Sequence, residues 1–474
     1  MKKLLIIIFG IFLSCVHQQS AQKLPETPRR IIEKDGIYSE FLENGLEVIL
    51  LEDHGIPLTT VIIASQNGAY TETPKFDGLT HLYEHMFFKA NRVLDSQEKF
   101  RDRARELGLV WNGTTSTEAV RYYSTAQSKF FCETLEFMAN AIRYPMFQTK
   151  ELENERPVVN GEYDRKEANP YSHFWKAMDM AMFGDFYVRK NTIGDRKVIA
   201  TATVEQMQFI KDKFYVPNNC ALILHGDFER ENALNLVNQY FGDWEKGENP
   251  HKNPPIEHPF LEKSQSLIVH QSIDNVMVSI NFRGPDVLRT PEQTHDTFAA
   301  DMIANIARLP NSRFMKNLVE SGVSTNAWVG YRTLKDGAKI YFGGECPAEN
   351  FAQFQTAMKT EMLAILEPKY FTEELIKEAL NALEIEMIFF EEKGRDYALS
   401  FASGWCSHGT EYWVNYMDNM KKVTVADLES FAQRYFNPAT NPMVYGILAS
   451  EENADKVGIV APNLELDFKK GESK

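Results

Sequence analysis

The sequence predicts an α+β protein built from two homologous halves. The chain has 474 residues, more than one hydrophobic core usually serves, so two domains of about 200 residues each are expected. A segment at residues 203–217 returns in similar form at residues 424–438. Between the two copies, residues 249–255 are rich in proline and asparagine, which is typical of a linker.

The repeated segment defines the two halves. Both copies begin with Thr-Val, at Thr203 and Thr424, and both end with a proline. Each is predicted to form a capped helix followed, after the proline, by an extended strand. The second copy begins 221 residues after the first, close to half the chain. We therefore expect a first half over residues 30–248, a linker over 249–266 and a second half over 267–474.

The N-terminus is typical of a targeting signal. Met1-Lys2-Lys3 is basic, and the apolar stretch 4–16 is too short to span a bilayer. Cleavage is expected either near Ala21, which makes residues 1–21 a signal peptide, or before Cys15, which resembles a bacterial lipoprotein site. In both cases the mature chain is predicted to be exported to a bacterial periplasm. A lipid on Cys15 is the only membrane contact expected.

Composition and charge narrow the function classes. Hydrophobic residues make up 43% of the chain and charged residues 25%, an ordinary globular balance. The net charge of −15 disfavours nucleic-acid binding, which needs basic patches. Beyond Cys15, the cysteines are scattered without a C-x-x-C pair and are predicted to be buried free thiols: Cys132, Cys220, Cys346 and Cys406.

The most informative motif is His81-Leu82-Tyr83-Glu84-His85, an H-x-x-E-H run in an apolar stretch. In a helix, His81 and His85 lie one turn apart on one face, and Glu84 shares that face. Two such imidazoles can bind Zn²⁺, and an adjacent carboxylate can take a proton from water. The apolar side, expected in a core, consists of Leu79, Leu82, Tyr83, Met86 and Phe87. The alternative is an amphipathic helix whose histidines only lie at the surface.

The surrounding residues resemble the start of the pitrilysin/insulinase family of zinc metallopeptidases, the inverted zincins. Residues 44–91 fit the pattern N-G-L-x-V followed by G-L-x-H-x-x-E-H-M-x-F. The matching residues are Asn44, Gly45, Leu46, Val48, Gly78, Leu79, His81, Glu84, His85, Met86 and Phe88. The resemblance is strongest to short-chain members such as mitochondrial processing peptidase and bacterial heterodimers. It implies that each half packs helices on one face of a mostly antiparallel sheet, that His81 and His85 are zinc ligands, and that Glu84 is the general base.

The resemblance also implies a third zinc ligand. Residues 155–162 are close to the family pattern E-R-x-V-V-x-x-E. This makes Glu162, 77 residues after His85, the ligand. Glu155 then orients a ligating histidine. Without the family, Glu162 is one of several acids on a solvated helix, the others being Glu151, Glu153, Glu155 and Glu167.

The second half is expected to lack a metal site and a complete substrate clamp. Many active relatives carry an Arg and a Tyr in a pattern near L-R-E-x-G-L-x-Y, and the corresponding residues here are 318–325. Val319 replaces the Arg and Thr325 replaces the Tyr, while Arg313 and Tyr331 are close but out of register. The resemblance therefore implies that this chain is the zinc-carrying subunit of a two-chain enzyme. The second family subunit is expected to supply the Arg/Tyr pair.

Together these features predict a zinc metalloendopeptidase that hydrolyses short or unfolded peptides. Asn112 and Gly113 match the family's N-A-x-T strand, which binds substrate backbone, although Gly113 stands where alanine is usual. Two alternatives stay open. The chain is a non-catalytic assembly or binding subunit that retains the peptidase fold, which the changes at Val319 and Thr325 favour. Or it processes a peptide precursor, which uses the same chemistry and differs only in substrate.

Overall fold

The computed structural model describes residues 31–184, 191–252 and 260–461. The predicted signal segment, residues 1–21 with Cys15, lies outside the described residues, as does part of the predicted linker. Within the described residues the strands form two sheets. No helix in these three ranges combines the length and the apolar character that a membrane crossing requires.

The first half contributes a seven-stranded sheet among the described residues. Its elements are β1 (Ile32–Lys34), β2 (Ile37–Phe41), β3 (Glu47–Glu52), β4 (Leu58–Ser65), α1 (Leu79–Phe87), α2 (Gln97–Glu106), β5 (Val110–Thr115), β6 (Val120–Gln127), α3 (Phe131–Arg143), α4 (Thr149–Glu167), α5 (Pro170–Phe183), α6 (Arg196–Ala200), α7 (Val204–Phe214), β7 (Cys220–Gly226) and α8 (Arg230–Phe241). The strand order is β1-β2-β3-β7-β4-β6-β5. β3 and β7 are parallel, and the other neighbours are antiparallel.

The second half contributes a five-stranded sheet among the described residues. Its elements are β8 (Gln265–His270), β9 (Val276–Arg283), α9 (Pro291–Arg308), α10 (Arg313–Met315), β10 (Asn326–Tyr331), β11 (Lys339–Cys346), α11 (Phe351–Ala364), α12 (Glu373–Glu391), α13 (Gly394–Val414), α14 (Tyr416–Met420), α15 (Val425–Tyr435), β12 (Met443–Ala449) and α16 (Glu451–Val457). The order β8-β12-β9-β11-β10 repeats that of β3-β7-β4-β6-β5, and β8–β12 is again the parallel pair. The predicted α+β fold of two homologous halves with mostly antiparallel sheets is confirmed.

The two copies of the sequence repeat form equivalent helices. Thr203 caps α7 and Thr424 caps α15, each through a capping box that satisfies two backbone donors. β7 and β12 follow the respective prolines. The predicted capped helix and following strand are therefore confirmed in both copies. β8 begins at Gln265, inside the predicted linker 249–266, while the other domain boundaries stay predictions.

Alternation along the strands gives the first sheet two apolar faces. In β3, Val48 and Leu50 join a core with α1, α3, α7 and α8, whereas Ile49 and Leu51 lie on the opposite face. That opposite face packs against α13 of the second half, through side chains such as Phe401. One face of the first sheet is thus covered by its own helices and the other by a helix from the second half.

The second sheet is covered in the reciprocal way. Its own helices pack on one face, and α5 of the first half packs on the other. Phe174 and Met178 of α5 meet Met277 of β9 and Val444 of β12. Each sheet therefore has helices of its own half on one face, as predicted, and a helix from the other half on the opposite face.

Two buried carboxylates of the first half, Glu47 and Glu118, accept hydrogen bonds from residues of the second half in or near α13. Glu47 accepts a hydrogen bond from Trp405 Nε1 at 2.7 Å. Glu118 accepts from Ser407 Oγ at 2.7 Å and from the Lys335 backbone N–H at 3.1 Å. Because a buried carboxylate without partners is costly, these bonds stabilise the contact between the halves.

The described cysteines are all free thiols. Cys220, Cys346 and Cys406 are buried, as predicted. Contrary to the prediction, Cys132 is only half-buried, because it lies off the buried face of α3, which carries Phe131, Leu135 and Met138. Its Sγ lies 3.4 Å from the hydroxyl of Tyr240.

The crossing of α5 over the second sheet is testable at Gly446. A Cβ added to Gly446 would lie 2.2 Å from Met178 Sδ and 2.8 Å from Phe174 Cε2. Gly446→Ala is therefore expected to lower the free energy of unfolding in urea by about 1–3 kcal/mol, as overpacking usually does. The control is Gly161→Ala in α4, where an added Cβ meets no atom within 4 Å. It is expected to raise the free energy of unfolding by up to about 1 kcal/mol, because alanine favours a helix over glycine. Unchanged stability of Gly446→Ala would contradict the close packing of α5.

Candidate metal centre

Helix α1 carries the H-x-x-E-H run, as predicted. It begins after Gly78, which has a φ of 89°, and a Cβ added there would lie 2.4 Å from the carbonyl oxygen of Ile193. The carboxylate of Glu72 accepts hydrogen bonds from the N–H groups of Gly78 and Thr80 at 2.9 and 2.7 Å, satisfying two of the free donors at the helix N-terminus. The apolar residues predicted for the core side are buried: Leu79, Leu82, Tyr83, Met86 and Phe87.

The side chains of His81, His85 and Glu162 converge where α4 passes α1. Glu162 Oε2 lies 3.5 Å from Nε2 of His81 and 3.5 Å from Nε2 of His85. One ligand atom from each of the three lies within 4.8 Å of the others. The side chains are partly exposed, at 16% for each histidine and 31% for Glu162. The group therefore remains accessible from solvent.

The two histidines differ in their electrostatic surroundings. Burial lowers the pKa of His81 to about 3, with a contribution from the neighbouring charge of His85. For His85, burial lowers the pKa, but the hydrogen bond to Glu155 and the charges of Glu162 and Glu84 outweigh burial and leave the pKa raised. A metal ion binds neutral imidazoles. The lowered pKa of His81 favours metal binding, whereas at His85 a metal ion has to compete with a proton.

His85 is held from the side opposite Nε2 by a buried carboxylate. Glu155 Oε1 lies 2.8 Å from His85 Nδ1, and Glu155 Oε2 lies 2.5 Å from Lys89 Nζ. Burial raises the pKa of Glu155, but the hydrogen bonds from His85 and Lys89 outweigh it and leave the pKa lowered. Glu155 is therefore an anion that bridges a lysine and a histidine.

Glu84 lies beside the two histidines on α1 and is buried. Its Oε2 accepts a hydrogen bond from Thr115 Oγ1 at 2.6 Å. Burial raises the pKa of Glu84, and the Thr115 hydrogen bond and the charge of His85 offset only part of this rise. The carboxylate is thus fixed against β5, next to the three convergent side chains.

The strand beside Glu84 is the edge of the first sheet. In the described part of the chain, β5 pairs only with β6. A Cβ added to Gly113 would lie 2.7 Å from Glu84 Cγ and 3.1 Å from Phe88 Cε2, so glycine allows the strand to approach Glu84. This is a physical reason for glycine where the family usually has alanine. Asn112 is exposed, and its Oδ1 accepts from the Gly113 N–H at 2.9 Å.

The donor set of this group fits Zn²⁺. Two imidazole nitrogens and one carboxylate oxygen are ligands that catalytic zinc sites use, with a fourth position kept for water or substrate. Within the described ranges one other group, Glu52, His54 and Glu229, also clusters. That group is exposed, and both ring nitrogens of His54 already bond carboxylates of Glu52 and Asp227. Exposed acids cluster commonly without a metal, so the site on α1 is the better candidate.

The second-half residues considered for the site are engaged within the second half. Val319 packs against the core of that half, and the Thr325 hydroxyl donates to a backbone carbonyl of β11 at 3.0 Å. Arg313 donates to the buried carboxylate of Glu361 at 3.1 Å, and the Tyr331 hydroxyl donates to a backbone carbonyl at 2.8 Å. Neither Arg313 nor Tyr331 is therefore free in this arrangement to serve the group on α1.

Three residues of this site were not among the predicted site residues: Glu72, Lys89 and Thr115, although Thr115 is the last residue of the stretch 112–115 that resembles N-A-x-T. Lys89 had a signal, because it is a lysine directly after the apolar residues 86–88 and one turn beyond His85. Thr115 also had one, because it lies two residues after Gly113 and so shares its face of the strand. Glu72 had none, because the irregular segment before α1 sets its position.

The two-half fold and the convergent group on α1 agree with what comparison with known proteins finds. The family model described as insulinase (peptidase family M16) matches residues 47–196. The model described as peptidase M16 inactive domain matches residues 201–383. The chain belongs to peptidase family M16, the insulinase family, which confirms the resemblance found in the sequence.

Similar proteins span most of the chain. An uncharacterized zinc protease of Bacillus subtilis, YmxG, is 22% identical over 326 residues, which are 68% of this chain and 77% of the relative. The zinc protease PqqE of Helicobacter pylori is 22% identical over 420 residues, 85% of this chain and 91% of the relative. The structure of the first half of the periplasmic protease PqqL of Escherichia coli has a TM-score of 0.76 at 15% identity, covering 91% of this chain and 96% of that half. Against the complete PqqL structure, at a TM-score of 0.76 and 16% identity, the match covers 94% of this chain and 51% of that chain.

The choice of Glu162 among its acidic neighbours can be tested by metal titration. The wild-type chain is expected to take up one equivalent of Zn²⁺ in competition with a chelator. Glu162→Gln replaces the convergent carboxylate with a neutral amide, a weaker ligand for Zn²⁺. Changes to groups that only support a ligand already cost about 10–100-fold in affinity, so the loss here should be at least that large. Glu153→Gln, on the same helix, is the matched control and should bind like the wild type. Equal affinities for all three proteins would contradict the site.

Proposed function

We propose that this chain is a zinc-dependent endopeptidase in which His81, His85 and Glu162 hold the metal and Glu84 is the general base. One observation carries the proposal: the Nε2 atoms of both histidines lie 3.5 Å from the same oxygen of Glu162, beside a carboxylate on the same helix. Membership of the M16 family and the names of the zinc proteases in Bacillus subtilis and Helicobacter pylori support it.

In the proposed reaction the metal and Glu84 have different roles. Bound Zn²⁺ supplies Lewis-acid chemistry, polarising a peptide carbonyl and making water more acidic. Glu84 takes a proton from the attacking water and passes it to the leaving amine. The Thr115 hydroxyl holds the carboxylate by its Oε2, which leaves Oε1 for the water. Burial of Glu84 limits bulk water around it and strengthens its electrostatic interactions.

The substrate is an extended peptide bound as an additional strand. β5 is an edge strand in the described part of the chain, and its Asn112–Gly113 backbone lies beside Glu84. Main-chain pairing with an edge requires a segment that is already extended, so short or unfolded peptides fit and folded proteins do not. The Gly113 N–H already donates to Asn112 Oδ1 at 2.9 Å, so a peptide that pairs with this N–H has to replace the Asn112 side chain.

The active enzyme consists of this chain and a second family subunit. Val319 and Thr325 stand where many active relatives have Arg and Tyr, and residues 201–383, which extend from α7 into the second half, match the model described as inactive. The match to complete PqqL, of which this chain covers 51%, supports a working unit of two such chains. The partner supplies the Arg/Tyr pair that binds the substrate and stabilises the developing oxyanion.

The enzyme works outside the cytoplasm, in a bacterial periplasm. The basic and apolar residues at the start of the chain have the pattern of an export signal. The name of PqqL, a periplasmic protease, agrees with this placement. Cys15 offers the alternative of a lipid anchor that faces the same compartment.

The role of Glu84 is tested with quenched-fluorescent peptides on the mature chain combined with a second family subunit, and with a zinc assay on the same sample. Glu84→Gln should keep its zinc and lower kcat by about 10²–10⁴-fold, the usual contribution of a general base. Glu153→Gln, the exposed control on α4, should retain wild-type turnover and zinc. Full turnover of Glu84→Gln would contradict the assigned role.

The same assay separates the subunit hypotheses. Robust turnover by the wild-type chain alone would contradict the two-chain enzyme. Zinc binding without turnover, restored by adding a second family subunit, supports it. If zinc-bound protein stays inactive with that subunit present, the non-catalytic binding function, which the changes at Val319 and Thr325 favour, replaces the proposal.

The close approach of Gly113 to Glu84 gives a further prediction. Gly113→Ala brings a Cβ within 2.7 Å of Glu84 Cγ and should displace the carboxylate. A misplacement of about 1 Å can cost up to 10²-fold, so kcat is expected to fall about tenfold or more with zinc content unchanged. Gly161→Ala, which meets no atoms, is the control and should keep full turnover. Wild-type kcat for Gly113→Ala would show that Glu84 does not depend on this contact.

A further inference from the structure

Lys89 is a buried lysine next to the candidate metal centre. It follows the end of α1, four residues after His85, and the residue is 3% exposed. Lysine is rarely buried without a partner, because removing its charge from water is costly. Its Nζ lies 2.5 Å from Glu155 Oε2, and the Glu155 side chain is itself only 10% exposed. The two charges form a buried ion pair.

The ion pair continues into the candidate ligand set. The other oxygen of Glu155, Oε1, lies 2.8 Å from His85 Nδ1. Lys89 therefore occupies one oxygen of the carboxylate and His85 the other. The Nε2 atom of His85, on the far side of the ring, faces Glu162 Oε2 at 3.5 Å. The contacts therefore form a continuous chain from Lys89 through Glu155 and His85 to the point where the ligands converge.

We propose that Lys89 is a positioning residue of the metal centre, which acts through Glu155 to fix the orientation of His85. The inference rests on the proposed zinc site. The terminal torsion of a glutamate is soft, so a carboxylate held by one oxygen can rotate. Lys89 anchors the second oxygen and keeps Oε1 in line with Nδ1, so that Nε2 points at the metal position.

A purely structural role for Lys89 makes a different prediction, and Glu151 provides the comparison. Glu151 lies one turn before Glu155 on α4 and also ties α4 to the segment after α1. Its carboxylate accepts hydrogen bonds from the N–H groups of Ala90 at 3.1 Å and Gln97 at 2.9 Å. If Lys89 only joined α1 to α4, loss of the Glu151 contacts would affect the metal site in the same way.

The test measures Zn²⁺ affinity by chelator competition and the visible absorption spectrum of the Co²⁺-substituted protein. Lys89→Met should weaken zinc binding about 10–100-fold, the range for groups behind a metal ligand, and should change the Co²⁺ spectrum. Glu151→Gln should leave both unchanged. The double variant Lys89→Met/Glu155→Gln should bind zinc within about twofold of Glu155→Gln, because Lys89 acts only through that carboxylate.

Three outcomes would overturn the inference. Wild-type affinity and spectrum for Lys89→Met would overturn it, and so would equal losses for Lys89→Met and Glu151→Gln. A double variant whose losses multiply would show that Lys89 acts by another route.

If Lys89→Met does not fold, Lys89→Gln keeps a hydrogen-bond donor without the charge, and its loss of zinc affinity should lie at the lower end of the range. Failure of the wild-type chain to bind zinc would overturn the proposed function itself, whereas zinc binding and turnover with an indifferent Lys89 would overturn this inference alone.

Discussion

The contact between α1 and α4 is the interaction on which the candidate site depends. α1 has nine residues. Because a helix this short is unstable in isolation, its position is fixed by the residues that pack against it. Its apolar side packs into the first core, Glu72 satisfies its N-terminal donors, and Glu155 of α4 bonds His85 near its C-terminal end. The same contact brings Glu162 to the histidines. A shift of α4 by one turn would separate the three ligand atoms.

The exchange of helices between the halves gives this site a firm support. β5 and β6, which lie beside Glu84, belong to a sheet whose other face is covered by α13 of the second half. Arg121 of β6 donates to the carbonyl of Leu399 in α13 at 2.7 Å, and Glu47 and Glu118 add buried bonds to the same region. The second half, although its predicted Arg and Tyr positions are changed, thus stabilises the strands next to the site.

Much of this arrangement could be predicted from the sequence, because the relevant signals are local or repeated. The helical position of His81 and His85 follows from their spacing, and the capped helices after Thr203 and Thr424 follow from local cap chemistry. The resemblance to a family singled out Glu162, which lies 77 residues from His85 and carries no local signal. The reciprocal covering by α5 and α13 could not be predicted, since it depends on how two halves of similar pattern pack together.

His81, His85 and Glu162 are proposed to form one metal centre. X-ray diffraction at the zinc absorption edge, from crystals of the mature chain grown with stoichiometric Zn²⁺, tests it most directly. One strong anomalous peak is expected in contact with Nε2 of both histidines and Oε2 of Glu162. A peak at the exposed group of Glu52 and His54 instead, or no peak between α1 and α4 at full zinc occupancy, would contradict it.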